Sequence, residues 1–286
     1  MRGGWSQRQD LRMEAVPRTV ADLAADLTRL GVRPGELLMV HASLRAIGPV
    51  RGGASGVIDA IGEATGPSGT MLMTLGARDD LGWVNDRPEE ERADLLAGSP
   101  PFDCLTAPAD PDVGVLAEVF RTTPGTLVSD HPEGRFGARG ELATALVSDV
   151  PWDDYYGPGS PLERFVQHRG RVLRLGADPD TVTLLHYGEY LATLPHKRRV
   201  RRHRLVSLPG GGSAIRAVEC LDDSEGIVEW AGDDYFALIF RAYLAAGRGT
   251  SGRVGGALSE LLDGADLVRF GAEWMSTHLA EAARAR

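Results

Sequence analysis

The sequence predicts an α/β protein with a mixed central sheet flanked by helices. Two helix-to-strand units follow one another in the first third of the chain, which favours a sheet that is at least partly parallel. Strand and helix patterns continue to the C-terminus. The 286 residues, 43% of them hydrophobic, can bury a large core, and no internal repeat, low-complexity tract or clear linker divides them.

The elements follow in order. "TVADLAADLTRLGVRPG" places Val20, Leu23, Ala24, Leu27 and Leu30 at helical spacing, with Thr19 as cap and Gly31 as stop. "ELLMVHASL" reads as a buried strand running into a loop, "GASGVIDAIGEATGPSG" as a glycine-diluted helix and "TMLMTL" as a second strand. From Gly76 to Pro111, charge, proline and glycine dominate, in an excursion too long for an idle loop. "GVLAEVFRTTPG" is a helix ended by Pro124, and "TLVSDHPEGRFGARG" holds a strand or turn with His131 before a proline. "ELATALV" and "SPLERFVQHRG" are short helices, the second capped by Ser160. "RVLRLGADPDTVTLLHYGEYLATLP" gives strand, loop and helix, with His186 one and a half turns inside the helix and Pro195 ending it. "HKRRVRRHRLVSLPGGG" and "SAIRAVECLDDSEG" are two strands around a glycine turn, expected as an antiparallel pair added to the sheet's edge. "YFALIFRAYLAAG" and "ADLVRFGAEWMSTHLAEAA" are helical, with "GRVGGALSELL" between them. The expected organisation is a flexible segment at 1–17 and one α/β domain at 18–286, with insertions at about 76–111 and 197–234.

Composition narrows the function classes. The 40 acidic against 31 basic residues give a formal charge of −9, which opposes general nucleic-acid binding and suits a cationic small partner. Cys104 and Cys220 make neither a disulfide framework nor a zinc cluster, so no metal is expected and a reducing cytoplasm is the simplest compartment. The N-terminus has no apolar run resembling a signal peptide, and no stretch approaches a membrane span.

Two stretches carry chemistry. In "VTLLHYGEYL", His186 and Glu189 lie three apart on one helix face, so an imidazole and a carboxylate can touch without tertiary coincidence. A carboxylate that fixes the tautomer of a near-neutral imidazole makes a general-base unit. Spacing alone leaves open a histidine bonded to glutamate as a fold device. No G-x-S-x-G elbow accompanies the pair. In "VHASLRAIGPVRGGAS", a strand delivers small and hydroxyl residues, then glycines with Arg45 and Arg51, where amides and cations can receive phosphates. It matches neither Walker A nor G-x-G-x-x-G, so an ordinary turn is equally open.

Together with "SDHPEGRFGARG", "WDDYYGPGSPLERFVQHRG" and "DLVRFGAEWM", these stretches resemble the aminoglycoside 3-N-acetyltransferases, the antibiotic N-acetyltransferase family, in order from about Thr19 to His278. The resemblance implies that family's fold, and transfer of acetyl from acetyl-CoA to the 3-amino group of a 2-deoxystreptamine aminoglycoside, giving resistance. It implies His186 and Glu189 as the catalytic pair. It places His41, Ser43, Leu44, Arg45, Thr181 and Thr183 beside the cofactor, with Ser43 and the turn after it near the pantetheine and thioester and as donors to the oxyanion. His131 matches a serine/threonine-x-histidine-proline motif and, with Asp153, is assigned a supporting place.

The acceptor side departs from the family pattern. Ala77 stands where a tryptophan is common, although Asp79 and Asp80 are retained, and the aspartate-serine-asparagine-glycine-isoleucine pattern appears as Asp223, Ser224, Glu225, Gly226 and Ile227. Asp79, Asp80, Asp223 and Glu225, with Asp153 and Asp154, are expected to line a cleft attracting a polycation, or singly to be solvated surface carboxylates. Acetylation of another small amine, and nucleic-acid binding through residues 196–204, are the alternatives. Monomer and homodimer are both compatible with the sequence.

Overall fold

The structure, a computed structural model, describes residues 16–77 and 81–284. Except for Val16 and Pro17, the expected loose N-terminal segment lies outside the described residues, as do Asp79 and Asp80. The chain opens with α1 (Val20–Leu30), where Thr19 and Asp22 form a capping box and Gly31 closes the helix at φ 111°, as the sequence predicts. β1 (Leu37–Ala42), α2 (Leu44–Ile47), α3 (Gly53–Thr65) and β2 (Thr70–Thr74) follow.

The excursion after β2 contains a 3₁₀ turn at Gly82–Asp86, α4 (Glu89–Leu96) and a second 3₁₀ turn at Pro111–Val113. Next come α5 (Val115–Thr122), β3 (Leu127–Val128), β4 (Phe136–Gly140), α6 (Ala143–Val147), α7 (Pro161–Gln167) and β5 (Arg171–Leu175). α8 (Leu185–Leu191), β6 (Arg199–Ser207), β7 (Ser213–Leu221), α9 (Tyr235–Ala245), β8 (Thr250–Val254), β9 (Ala257–Asp263) and α10 (Gly264–Arg284) complete the order.

Seven strands form the main sheet in the order β3-β4-β2-β1-β5-β9-β8. β1 pairs in parallel with β2 and β5, and the outer pairings are antiparallel, so the sheet is mixed. Helices cover both faces, which is why β1 reads as a continuous apolar run rather than an alternation. Leu37 and Met39 face the core under α6 to α10, and Leu38 and Val40 face the core under α1, α3 and α5.

Three expectations are corrected. The β6–β7 hairpin forms, but as a separate two-stranded sheet rather than an addition to the main sheet's edge. The strands that extend the main sheet are β9 and β8, from the unassigned "GRVGGALSELL". α8 begins at Leu185 and ends at Leu191, so His186 sits in its first turn and Pro195 lies beyond its end. The chain turns extended at Ala192, and Lys197 Nζ satisfies the carbonyl of Tyr190 at 2.8 Å.

The 76–111 segment covers the hairpin. Asn85 exchanges two hydrogen bonds with the backbone of His203, at 2.6 and 3.2 Å, and Phe102 bonds the backbone of Leu205 and Ser207. Val84, Leu96 and Leu205 form a small apolar core between them. The basic run faces carboxylates: Arg199 meets Asp154 and Glu219 at 3.0 Å, Arg201 meets Glu89 at 3.2 Å, Arg202 meets Asp223 at 2.7 Å, and Arg204 pairs with Glu133. Among the described residues, no helix is long and apolar enough to cross a membrane and no group of three or more His, Cys, Asp or Glu is placed to hold a metal ion.

Candidate active site

The carboxyl ends of β1, β2 and β5 open on a cavity of about 840 Å³, the place where parallel α/β sheets commonly receive ligands. His41, Ser43, Leu44, Arg45, Thr181, Thr183 and His186 all line it. The turn at Gly176 makes this approach possible. At φ 64°, a Cβ there would come within 2.6 Å of Ala46 Cβ and 2.9 Å of Ala257 Cβ, so only glycine lets the loop after β5 pack so closely on α2. Across the cavity, Thr74 at the end of β2 donates from its hydroxyl to Thr183 Oγ1 at 3.1 Å.

The expected oxyanion donors need one correction. The Ser43 amide is already committed, donating to the Leu175 carbonyl at 3.0 Å, and Ser43 Oγ accepts from the Ala46 amide at 3.3 Å. The Ser43 hydroxyl proton and the first amides of α2, at Leu44 and Arg45, are the groups at this turn that no described residue takes. Arg51 is not part of the cavity wall.

His186 and Glu189 do touch. Nδ1 of His186 lies 2.7 Å from Glu189 Oε2, and Glu189 Oε1 accepts from the Tyr235 hydroxyl at the start of α9. A carboxylate can only accept, so Nδ1 carries the proton and the Nε2 lone pair is left for a ligand. The side chain of His186 is 19% exposed and that of Glu189 2%, so a substrate can reach the imidazole but not its partner. Tyr156 stacks on the ring at 4.9 Å and 10°, and Phe236 meets it edge-on at 4.8 Å. Burial lowers the affinity of His186 for a proton, but the charge and hydrogen bond of Glu189, with Asp223 and Asp234 further off, outweigh it and raise its pKa above the usual 6.5.

The other histidines are held differently. His131 is fully buried, with Nδ1 accepting from the Glu133 and Gly134 amides and Nε2 2.9 Å from the Trp152 carbonyl; burial pushes its pKa down to about 4. It pins the turn before β4 and is not in the cavity wall. Burial and the neighbouring Arg174 likewise hold His41 neutral, at about 4.

The described members of the expected acidic set do not converge as free carboxylates. Asp223 accepts from the Tyr155 hydroxyl at 2.5 Å and pairs with Arg202. Asp153 accepts from the Glu219 amide at 2.8 Å, Asp154 holds Tyr190 and Arg199, and Glu225 is exposed outside the cavity wall. Asp79 and Asp80 lie outside the described residues.

The family model for aminoglycoside 3-N-acetyltransferase matches residues 39–276, a span that holds the whole cavity and the His186–Glu189 pair. The chain belongs to the aminoglycoside 3-N-acetyltransferase family. It is 40% identical over 272 residues to aminoglycoside N(3)-acetyltransferase VIII of Streptomyces fradiae, covering 93% of this chain and 95% of that one. The solved structure of AAC-IIIb in binary complex with CoASH superposes with a TM-score of 0.82 at 40% identity, over 91% of this chain and 97% of that one. AAC-VIa bound to sisomicin gives 0.84 at 39% identity, over 91% and 98%. The mixed sheet with helices on both faces is the family's fold.

Sequence reading missed the residues that frame the His186–Glu189 pair. Tyr235 and Phe236 follow Asp234, whose side chain caps α9 by accepting from the Ala237 amide at 2.9 Å. That cap signal was visible in "DDYFALIF", but nothing local says that the helix start returns to a residue 46 positions away. Tyr155 and Tyr156, in "WDDYYGPG", are in the same position.

Proposed function

We propose that this chain transfers acetyl from acetyl-CoA to the 3-amino group of a 2-deoxystreptamine aminoglycoside, conferring resistance in the cytoplasm where acetyl-CoA is available. The observation that carries the reading is the His186–Glu189–Tyr235 chain placed at a cavity walled by the Ser43 turn and by Thr181 and Thr183. The relatives in complex with CoA and with sisomicin support the two substrate classes. His186 Nε2 takes the proton of the attacking amine, and Glu189 stabilises the imidazolium that forms. The Ser43 hydroxyl and the first amides of α2 face the developing oxyanion. His186 then returns its proton to the departing sulfur.

Incubation with acetyl-CoA and a panel including kanamycin and gentamicin, with mass mapping of the products, tests the reading. A single acetyl on the 3-amine is expected, and CoA at a hundred times its Kd should stabilise the fold by about 2.7 kcal/mol. No saturable CoA binding by folded protein would remove the assignment. Acetylation of a different small amine is the second reading, favoured by Ala77 and by the engagement of Asp223 with Arg202. The mass map separates the two. A nucleic-acid role is not supported, because the arginines of residues 198–204 already face carboxylates.

The base must be unprotonated, so kcat/KM should fall as pH drops through a value above 6.5. Asp223 contributes to that raised value, and Asp223→Asn removes its charge. The acidic limb of the pH–rate profile should therefore move to lower pH. A limb that stays in place would show that Asp223 does not act on His186.

A further inference from the structure

The charges at the cavity mouth are the wrong sign for a nucleotide. Among the described residues, Asp112, in the 3₁₀ turn before α5, and Asp178 and Asp180, in the loop after β5, line it against a single arginine or lysine, Arg45. All four are exposed, and none of the three carboxylates forms an ion pair with a described residue. His41 adds no positive charge, since it is held neutral. Beyond His186, which sits at the reacting end, the rest of the described wall offers hydroxyls, at Ser43, Thr74, Thr181 and Thr183, among apolar side chains.

We infer that the site recognises its acetyl donor through the neutral pantetheine arm, and that small S-acetyl-pantetheine thioesters lacking the nucleotide also serve as donors. The inference rests on the acetyl-transfer reading above and names the donor class of that site. The arm carries two amides and a hydroxyl, which match the hydroxyl-lined wall. The diphosphate and 3′-phosphate carry negative charge past three carboxylates, with one guanidinium among the described residues of the wall to receive them. Such exposed charges are weak singly and screened within about 10 Å at 0.1 M salt, so the repulsion is modest, but it offers the nucleotide little net attraction. The reacting thioester and its pantetheine arm are common to both donors, so the shorter donor loses only what binding of the nucleotide contributes to the transition state. In either case the amine nitrogen forms the C–N bond, the C–S bond breaks, and the proton passes through His186 to the pantetheine sulfur, giving an acetamide and a free thiol.

Steady-state kinetics with one accepted aminoglycoside, using acetyl-CoA and S-acetyl-pantetheine side by side, tests this. The expected kcat/KM for the shorter donor is within about thirtyfold of that for acetyl-CoA, and a larger loss overturns the inference. In the variant Asp178→Asn/Asp180→Asn, the KM for acetyl-CoA should fall by about two- to fivefold while that for S-acetyl-pantetheine stays put. An equal response of both donors, or none, also overturns it. Turnover with acetyl-CoA alone removes only this inference, whereas no turnover with either donor removes the acetyl-transfer reading with it.

Discussion

His186→Ala should lower kcat by about 100- to 10,000-fold, the range for loss of a positioned proton-transfer group, and leave acetyl-CoA affinity largely intact. That corresponds to about 2.7–5.5 kcal/mol of lost transition-state stabilisation. Affinity is spared because the ring is one small part of a wall shared by β1, β2 and the loop after β5. Glu189→Gln should retain more activity. The amide oxygen can still accept from Nδ1, and its NH2 can donate to the Tyr235 oxygen once that hydroxyl turns away. The lost charge should also move the acidic limb to lower pH, since Glu189 helps to raise the pKa of His186. A His186 variant with near-parent kcat across pH 6 to 9 would make the pair structural. The other buried histidines are poor substitutes: His131 has both ring nitrogens engaged by the backbone, and His41 is held neutral beside Arg174.

Arg135→Ala should destabilise the fold by about 3–5 kcal/mol, measured as a fall in the urea midpoint. The guanidinium is fully buried and forms no ion pair with a carboxylate among the described residues. It donates to the carbonyls of Cys104 at 2.7 Å, Pro108 at 2.8 Å, Gly76 at 3.3 Å and Ala107. Burial pulls its pKa down to about 10, so it stays charged at neutral pH, held by four carbonyl dipoles with the charges of Glu118 and Asp103 nearby. Truncation leaves those carbonyls without a donor and opens a void. Limited proteolysis should then cut first within residues 76–111, the segment the guanidinium ties down. A variant within about 1 kcal/mol of the parent would show that the carbonyls find other partners.

The sequence shows what is local. The Thr19 and Ser160 caps, the apolar run of β1 and the three-residue spacing of His186 and Glu189 are each written within a few positions, and the structure forms all of them. The residues expected beside the cofactor could be named together only through the resemblance, since the parallel pairing of β1 with β5 is what brings His41 and the segment after β5 that holds Thr183 to one cavity, more than a hundred residues apart in sequence. What spacing cannot show is which surfaces meet. The carboxylates expected to await a polycation are partly taken by arginines of β6, because Asp223 and Arg202 come from different strands or turns. β8 and β9 were missed because Gly252 in β8 and Gly255 and Gly256 in the turn between them dilute the strand pattern; the register with β5 supplies the pairing that propensity does not.

The contact between residues 76–111 and the β6–β7 hairpin bears on how this chain can be recombined with its relatives. Asn85 completes its hydrogen bonds on the His203 backbone, Phe102 lies along Leu205 and Ser207, and Val84 and Leu96 share a core with Leu205. Neither segment has a finished surface without the other. A chimera that takes one from a second parent joins mismatched half-interfaces and leaves a strand edge open to unintended pairing. Crossovers that move both segments together carry the whole interface across.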